Sequence, residues 1–504
     1  MKILILQLAR FGDIYQTYPA LNALKRVYPS AKIDVLVREK FAKAAEACES
    51  IDEIIQLNTK EILHPFLQPL TSDEDTFSDE LSESLLEIGK LLDKLKLNEY
   101  THIYNISFSP LSSYLLSTLT EESMHIGGYS RHSDGYLSIF GDISAYFYAQ
   151  VGVGKKNRFH LCDIFANVVG VELEDRDFQV SQNALAGTKA ELSQIDKYIC
   201  FHLAASTEDK TLEPFKWVQV IRKLRDIKDI SIVLLGAANE QTIADEVMQQ
   251  IDDKRIINLV GNTEFSELLG VVNKAQLVVG ADSLFMQLAN LVQTPCLNFS
   301  FPSVNFWETG PLASQSAVVY KESREMLTSD VLSNEITLFL SSDEFSDTCI
   351  RKSDKGLTRY NVDLDEVFDF HWNLIKALYL PGQVFPHLLL QEHFQAIWQL
   401  KDILGFVIDQ VEKMEGQSDD KLQDLNLSIV ESEQLIGAIF RLVPDLMPIY
   451  WWFQTEKIRI APAPLSHIIN ETKSKYEQLL AVVDLYISMD PGADHKQIAQ
   501  PLEA

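Results

Sequence analysis

Between residues 198 and 299 the sequence alternates short apolar runs with segments of helical spacing, and this order limits the fold more than any other feature. The apolar runs predict strands at 198–203, 231–236, 256–260, 277–279 and 295–299, with helices at 214–226, 239–251, 264–273 and 283–292. Such an alternation builds a parallel sheet with helices on both faces. We therefore predict a doubly wound α/β domain.

The N-terminal part shows the same order more sparsely. Strands are predicted at 3–6, 33–37 and 102–106, a helix at 13–24, and a polar loop at 71–84. The predicted fold class is α/β, with two Rossmann-like, doubly wound domains that face one another. Ligands of such sheets bind beyond the carboxyl ends of the strands, so Asp13 and Asp282 are expected to face one cleft.

The composition changes after the second domain. We predict an N-terminal domain at 1–185, a second domain at 195–340, a polar linker at 341–362 and a helical extension at 363–504. The extension has helical spacing and contains a dense aromatic run, Ile449-Tyr450-Trp451-Trp452-Phe453. This run is either the core of a helical bundle or a patch that binds a sugar or a partner protein.

The junction at residues 277–290 predicts a strand that ends at Gly280 and a helix that opens at Asp282-Ser283. Unpaired N–H groups at a helix N-terminus attract phosphate, although Asp and Ser are also ordinary capping residues. The first loop, residues 7–12, lacks the glycine spacing of a dinucleotide site and the Gly-Lys-Ser/Thr of a P-loop. Neither nicotinamide chemistry nor ATP hydrolysis is therefore supported.

Several stretches resemble one known family. The run Ile3-Leu4-Ile5-Leu6-Gln7-Leu8-Ala9-Arg10-Phe11-Gly12-Asp13-Ile14, with residues 18–21 and 24–33, resembles the N-terminal signature of glycosyltransferase family 9, the heptosyltransferases. Residues 201–207, Lys210 and 214–217 are similar to the donor-phosphate loop of that family, and 230–236, 257–263 and 277–287 follow in family order. The resemblance covers about residues 1–320 and implies the GT-B fold, with an acceptor-side domain first and a donor-side domain second.

The resemblance also implies roles for individual residues. Asp13 is the implied catalytic base, although Asp13 and Gln16 also fit a helix-capping box. Arg10 and Gly12 are placed on the acceptor side. The implied donor-binding residues are Ser206, Thr207, Lys210, Gly236, Asp282, Ser283, Leu284 and Gln287.

Two positions depart from the family pattern. Gln287 occupies the place of a donor-contacting histidine, and glutamine forms hydrogen bonds but cannot become cationic. Leu284 and Phe285 replace small residues beside the phosphate. These departures put the usual donor geometry in doubt.

The implied activity is an inverting, metal-independent transfer of a sugar, for which heptose is the candidate, from an ADP-linked nucleotide donor, with no cofactor. The acceptor is a glycan, a lipid-linked glycan or a protein. Three loose Asp-x-Asp patterns, at 73–75, 175–177 and 363–365, are expected by chance in so acidic a chain. Two alternatives remain: a degenerate scaffold that binds a glycan or protein, and a nucleotide-sugar epimerase or hydrolase on the same fold.

The charge and composition exclude other classes. A formal charge of -28 argues against nucleic acid and against tight adhesion to an anionic membrane. No apolar stretch approaches the ~20 residues of a membrane span, so we expect a cytoplasmic protein, either free or peripheral at the inner face of the membrane. The five scattered cysteines lack Cys-x-x-Cys spacing and predict free thiols.

Overall fold

The computed structural model describes residues 1–67, 74–121, 123–205, 207–227, 229–345, 350–354, 357–361 and 366–489. The chain divides into two compact units. Unit 1 comprises Met1–Gly128 and Phe159–Asp363, and unit 2 comprises Tyr129–Arg158 and Leu364–Ala504.

The strands in the described residues are β1 (Lys2–Leu6), β2 (Lys32–Arg38), β3 (Glu53–Leu57), β4 (His102–Asn105), β5 (His125–Arg131), β6 (Leu137–Phe140), β7 (Tyr198–His202), β8 (Ser231–Leu235), β9 (Ile256–Asn258), β10 (Val278–Ala281), β11 (Cys296–Ser300), β12 (Ala317–Tyr320), β13 (Ile350–Asp354) and β14 (Leu357–Asn361).

The α-helices are α1 (Phe11–Val27), α2 (Thr59–Leu67), α3 (Glu74–Leu97), α4 (Pro110–Leu119), α5 (Asp142–Tyr146), α6 (Leu161–Val168), α7 (Gln182–Leu185), α8 (Pro214–Lys223), α9 (Gln241–Gln250), α10 (Phe265–Asn273), α11 (Leu284–Val292), α12 (Phe306–Thr309), α13 (Ser329–Ser342), α14 (Glu366–Tyr379), α15 (Gln391–Glu412), α16 (Asp419–Leu442), α17 (Met447–Ile458) and α18 (Leu465–Ser488).

The first sheet of unit 1 has the strand order β3-β2-β1-β4-β5. Its central strand, β1, runs parallel to β2 and to β4. Residues 3–6 of β1 are buried because helices cover both faces of a parallel sheet, which favours a continuous apolar run. The carboxyl ends of β1 and β4 lie side by side, and the loop that leads to Asp13 starts there.

The second sheet has the order β12-β11-β10-β7-β8-β9, and its neighbouring strands are parallel. The strand order reverses direction at β7, which lies between β10 and β8. A crevice opens at such a point beyond the carboxyl ends of the strands. The loops after β7 and β10, which carry Lys210 and Asp282, are therefore neighbours. Both sheets confirm the predicted α/β class.

Trp217 of α8 holds the end of β7 from the core side. Its indole Nε1 donates a hydrogen bond to the Leu203 carbonyl at 3.2 Å. Its ring centroid lies 5.2 Å from that of Phe201 and 5.9 Å from that of Phe299. A buried tryptophan whose N–H is satisfied contributes a large apolar area without leaving an unpaired donor. The motif at 214–217 thus fixes the start of the loop that carries Lys210.

Some elements differ from the sequence-based predictions. The loop predicted at 71–84 is wrong from Glu74 onwards, because these residues begin α3, and residues 71–73 lie outside the described part. The predicted linker at 341–362 contains the antiparallel pair β13 and β14. Strands β3, β5, β6 and β12 and helix α17 were not predicted.

Unit 2 contains the predicted helical region. Its core is formed by side chains of α14 to α18, with Ile449 and Phe453 of the aromatic run fully inside it. Trp451 of the same run lies against Gly154, where an added Cβ would come within 2.5 Å of the indole Cδ1. The run therefore packs largely within this unit. In the described part of the chain, no helix has both the length and the apolar character needed to cross a membrane.

Two buried histidines of unit 2 share one aspartate. The Nε2 atom of His371 on α14 lies 3.1 Å from the Asp445 carbonyl oxygen, and the Nε2 atom of His393 on α15 lies 3.4 Å from Asp445 Oδ2. The Arg158 guanidinium lies 3.3 Å from His371 Nδ1. Burial, and then the charge of Arg158, lower the pKa of His371 to about 4. His371 is therefore neutral in the folded protein at neutral pH.

We predict that His371 makes the fold acid-sensitive. Its pKa is about 6.5 in an unfolded chain and about 4 in the folded one, so its contribution to stability is present above pH 6.5 and is lost as pH falls towards 4. The full loss is about 3 kcal/mol. Urea unfolding of His371→Gln should show a smaller drop in unfolding free energy over this range than wild type. His387→Gln, at an exposed histidine, is the control; parallel pH curves for all three proteins would contradict the prediction.

Candidate active site

Asp13 lies in the first turn of α1, two residues after the helix begins at Phe11. Its Oδ2 accepts a hydrogen bond from the Arg10 backbone N–H at 3.0 Å. In place of the capping box that Asp13 and Gln16 would fit, the Asp13 side chain caps the backbone N–H of Arg10, the N-cap residue of α1. The Gln16 side chain instead donates to the carbonyl of Glu308 at 3.3 Å.

A buried polar network supports the backbone around Asp13. Thr17 Oγ1 donates to the Asp13 carbonyl at 2.8 Å, and Gln7 Nε2 donates to Thr17 Oγ1 at 3.1 Å. Ser107, in the loop after β4, donates to Gln7 Oε1 at 3.3 Å and accepts from the Leu8 N–H. These contacts tie the loop that carries Asp13 to the adjacent strand. Sequence reasoning gave no role to Gln7 or Ser107.

The carboxyl of Asp13 has a raised pKa. Burial is the largest cause, and the negative charge of Asp282 acts in the same direction. The hydrogen bond from the Arg10 N–H and the Arg10 charge oppose the rise. A raised pKa makes a carboxylate a better proton acceptor, which suits a general base.

Lys210 and Asp282 form an ion pair at the carboxyl edge of the second sheet. Lys210 Nζ lies 3.5 Å from Asp282 Oδ2, and their side chains are 17% and 21% exposed. The two residues are 72 positions apart in the sequence and meet because β7 and β10 are neighbouring strands. The structure thus brings two of the predicted donor-binding residues into direct contact.

The N-terminus of α11 has an unused capping position. Ser283 is the N-cap residue, yet its side chain forms no capping hydrogen bond. Its Oγ is buried and has no hydrogen-bond partner among the described residues. Leu284, the first residue of the helix, is half-buried. The first N–H groups of α11 are therefore available to an anionic group.

Gln287, which the resemblance places at the donor, forms hydrogen bonds within the protein in this structure. It is buried, and its Nε2 donates to the Thr309 carbonyl at 2.6 Å. Its Oε1 accepts from Asn290 Nδ2 at 3.2 Å, and Asn290 also donates to the Gly310 carbonyl at 3.3 Å. In this structure Gln287 holds the loop after α12.

The two acceptor-side candidates flank Asp13. Arg10 is exposed and is the N-cap residue of α1. Gly12 lies beside α11, since a Cβ at this position would be 3.9 Å from Gln287 Cγ. The start of α1 and the first turns of α11 are thus close together in unit 1.

A histidine and a glutamate that were not predicted lie beside Gly236. His202 Nε2 is 3.3 Å from Glu240 Oε2, which also accepts from the Ala237 N–H at 2.8 Å. Burial raises the pKa of Glu240, but these hydrogen bonds outweigh it and the net shift is downward. A Cβ at Gly236 would lie 2.5 Å from Glu240 Oε2, so glycine leaves room for this carboxylate. The sequence signal that could have identified this pair is Glu240, an acidic residue four positions after Gly236 at the end of β8.

The loop after β7 also contains Thr207 and Ser206. Thr207 is exposed, and hydrogen bonds from Ser303 and Thr207 lower the pKa of Asp209. Thr207 thus contacts Asp209 in this structure. The predicted donor-binding residue Ser206 lies outside the described residues.

Within the described ranges, no group of three or more His, Cys, Asp or Glu residues is arranged to hold a metal ion. In the acidic pattern at 175–177, Asp177 pairs with Arg26 at 2.9 Å. The patterns at 73–75 and 363–365 lie wholly or partly outside the described residues. Cys48, Cys200 and Cys296 are buried free thiols, as predicted, and Cys349 is not described.

Comparisons with known proteins agree with the resemblance. The model of glycosyltransferase family 9 (heptosyltransferase) matches residues 88–334, a range that does not include Asp13. The lipopolysaccharide heptosyltransferase 3 of Escherichia coli (strain K12) is 22% identical over 318 residues, which cover 59% of this chain and 81% of that protein. A second Escherichia coli protein of the same name is 22% identical over 315 residues, 59% of this chain and 82% of its own length.

The fold is also found among solved structures. The Escherichia coli heptosyltransferase WaaC, solved with ADP, has a TM-score of 0.50 and 17% identity, covering 68% of this chain and 100% of that one. The Escherichia coli ADP-heptose heptosyltransferase II has a TM-score of 0.49 and 16% identity, covering 68% and 99%. At 17% identity, the similarity to WaaC shows only that the two proteins share the two-domain fold.

We predict that Gln287→Ala destabilises the protein. The substitution removes the Gln287 donor from the Thr309 carbonyl and one of the two acceptors of the Asn290 amide, which costs about 1 to 3 kcal/mol for buried groups. Urea unfolding should show this loss. Gln250→Ala, which removes an exposed amide bonded to the Glu246 carbonyl, is the control and should change little. If both variants unfold like wild type, Gln287 does not hold the loop.

Proposed function

Because residues 88–334 form a glycosyltransferase family 9 domain, we propose that this chain transfers a sugar from a nucleotide diphosphate donor with inversion and without a metal ion. The observation that carries the proposal is the Lys210–Asp282 pair at the N-terminus of α11, which lies beside the start of α1, the helix that carries Asp13. A base, a cation and a hydrogen-bond acceptor are the groups that such a transfer requires.

Asp13 is proposed as the general base. It removes the proton of the acceptor hydroxyl while that oxygen attacks the anomeric carbon of the donor sugar, and the bond from this carbon to the diphosphate breaks. A carboxylate whose proton affinity is raised by burial and by Asp282 favours this proton transfer. The backbone hydrogen bond from Arg10 keeps the carboxylate in place.

The leaving diphosphate is proposed to bind between Lys210 and the N-terminus of α11. Lys210 supplies a positive charge, and the unpaired N–H groups around Ser283 and Leu284 supply directed donors. The Ser283 hydroxyl, which has no hydrogen-bond partner within the described part of the chain, supports this placement. These groups would stabilise the departing negative charge without a metal ion. Asp282 is proposed to accept hydrogen bonds from the sugar hydroxyls.

For the donor and the acceptor we propose classes of compound. The donor is an ADP-linked sugar, with heptose as the candidate, and the acceptor is a glycan, a lipid-linked glycan or a protein. The helical unit 2 is proposed to recruit the acceptor or a partner protein. A location in the cytoplasm, either free or peripheral at the inner face of the membrane, fits these substrates.

One observation favours a second candidate, a scaffold that binds a glycan or protein without catalysis. Gln287 forms buried hydrogen bonds with Thr309 and Asn290, and the bulky Leu284 and Phe285 begin α11. A donor sugar that needs the side chain at position 287 could not reach it without breaking these bonds. Donor binding without turnover would favour the scaffold.

A thermal-shift panel of ADP-, GDP-, UDP- and CMP-sugars tests the proposed function. A ligand that binds the native state raises the unfolding temperature with the logarithm of its saturation, and we expect an ADP-sugar to do so. With that donor, Asp13→Asn should keep the shift but reduce transfer by about 10²- to 10⁴-fold. No shift with any nucleotide sugar would reject donor binding, and full turnover by Asp13→Asn would reject the base.

Lys210→Ala should weaken binding of free ADP by about 1 to 3 kcal/mol through loss of a charge-assisted hydrogen bond. The loss should be the same with or without an attached sugar, because the contact is to phosphate. Calorimetry measures both affinities. Lys223→Ala is the control, since Lys223 pairs with the exposed Asp330. Unchanged ADP affinity in Lys210→Ala would reject this placement.

A further inference from the structure

We propose that two stacked rings, Phe11 and Phe265, hold the start of α1 against the domain of the second sheet and so keep Asp13 aligned with the donor. This inference rests on the proposed function and extends it to the side chains that position the base. Neither ring is assigned a contact with the reacting atoms. Both are therefore positioning residues that act through Asp13.

The ring of Phe11 is stacked on the ring of Phe265. Phe11 is the first residue of α1, two positions before Asp13, and Phe265 is the first residue of α10. The two ring centroids lie 4.5 Å apart, with 30° between the ring planes. Helix α1 follows β1 of the first sheet, α10 follows β9 of the second, and both helices belong to unit 1. The ring pair therefore joins the two sheet domains at the turn that carries Asp13.

Phe11 is also held from within the first domain. Its ring centroid lies 4.7 Å from that of the buried Phe41, at an angle of 76° between the planes. The Arg38 guanidinium lies 4.6 Å from the centroid of the Phe41 ring and donates to the Ala9 carbonyl at 3.3 Å. Phe11 is thus anchored in the first domain and presents its ring to the second.

The residues on either side of Asp13 contact the second domain as well. A Cβ at Gly12 would lie 3.9 Å from Gln287 Cγ of α11, and Gln16 Nε2 donates to the Glu308 carbonyl of α12 at 3.3 Å. The first two turns of α1 are therefore attached to three helices of the second domain. The ring pair is the aromatic part of this attachment.

The attachment matters because the base and the leaving-group site belong to different domains. Asp13 lies in the first domain, whereas Lys210 and the N-terminus of α11 lie in the second. A general base must be within hydrogen-bond reach of the hydroxyl, and a misplacement of about 1 Å can reduce the rate by about 100-fold. A ring pair at this separation is attractive beyond the apolar area that it buries. It supplies an alignment that neither domain provides alone.

Hydrogen exchange of the full-length protein tests the attachment without any substrate. Phe265→Ala changes only the second domain, yet it should speed amide exchange in residues 8–18 by about 2- to 10-fold, the factor expected for the loss of one aromatic pair. Phe265→Tyr keeps the ring and should exchange like wild type. Phe345→Ala is the matched control, because it removes a ring that is stacked on Phe339 at 4.9 Å in the same unit. It should leave exchange in residues 8–18 unchanged.

Turnover tests the positioning of the base. The probe is ADP-heptose with water as the acceptor, and the released ADP is measured. Phe11→Ala should lower kcat by about 10- to 100-fold with unchanged affinity for free ADP, because Lys210 and α11 lie in the second domain. Phe11→Leu, which keeps an apolar side chain without a ring, should show the same pattern if Phe11→Ala does not fold. Phe345→Ala should keep the kcat of wild type.

The double variant Phe11→Ala/Phe265→Ala shows whether the two rings act as one pair. If they do, its kcat is no lower than that of the weaker single variant, because either substitution alone already removes the stack. Losses that multiply would show that the rings act separately and would overturn the inference.

Two further results would overturn it. Unchanged exchange in residues 8–18 of Phe265→Ala would show that the ring pair does not hold the start of α1. An equal loss of kcat in Phe345→Ala would show that the effect comes from general destabilisation. Both leave the proposed function intact, since wild type still binds ADP and releases it from ADP-heptose. If wild type does neither, the proposed function is rejected, and the exchange measurement alone decides whether the rings join the two domains.

Discussion

In unit 1 the attraction between Lys210 and Asp282 joins the loops after β7 and β10, and the candidate site depends on it. Lys210 and Asp282, taken singly, are partly exposed charged residues of a kind found on most protein surfaces. Their contact fixes a cation beside the N-terminus of α11 and a carboxylate whose charge reaches Asp13. The sheet order that makes β7 and β10 neighbours is therefore the constraint from which the chemistry follows.

The sequence predicted the buried strands well, because a parallel sheet covered on both faces requires continuous apolar runs such as residues 3–6 and 277–279. It failed where that signal is absent. Strand β5 contains two consecutive glycines, and α3 begins with an acidic, serine-rich stretch that was interpreted as a loop. Helix α17 was missed because of Pro448, which occupies its first turn, where proline is tolerated.

The sequence could predict those residues of the candidate site whose position after a strand marks them individually. Asp13, Lys210 and Asp282 follow strands, and the common edge of a sheet brings such residues together. The pairing of Lys210 with Asp282, the His202 contact with Glu240 and the support of Asp13 by Gln7 depend on side-chain directions that spacing does not encode. For the same reason, the inward turn of Gln287 towards Thr309 was not predictable.

The division of unit 2 into two chain segments affects how the protein is made. Gln150 Nε2 donates to Tyr379 Oη and to the Pro448 carbonyl, partners that are 229 and 298 residues later in the sequence. At a synthesis rate of about 5 to 20 residues per second, the ribosome needs about 15 to 60 s to reach Pro448 after Gln150. During this interval Tyr129–Arg158 has been synthesised without the helices that complete its packing. Tyr129–Arg158 can therefore complete its packing only after the residues that follow Leu364 have been synthesised.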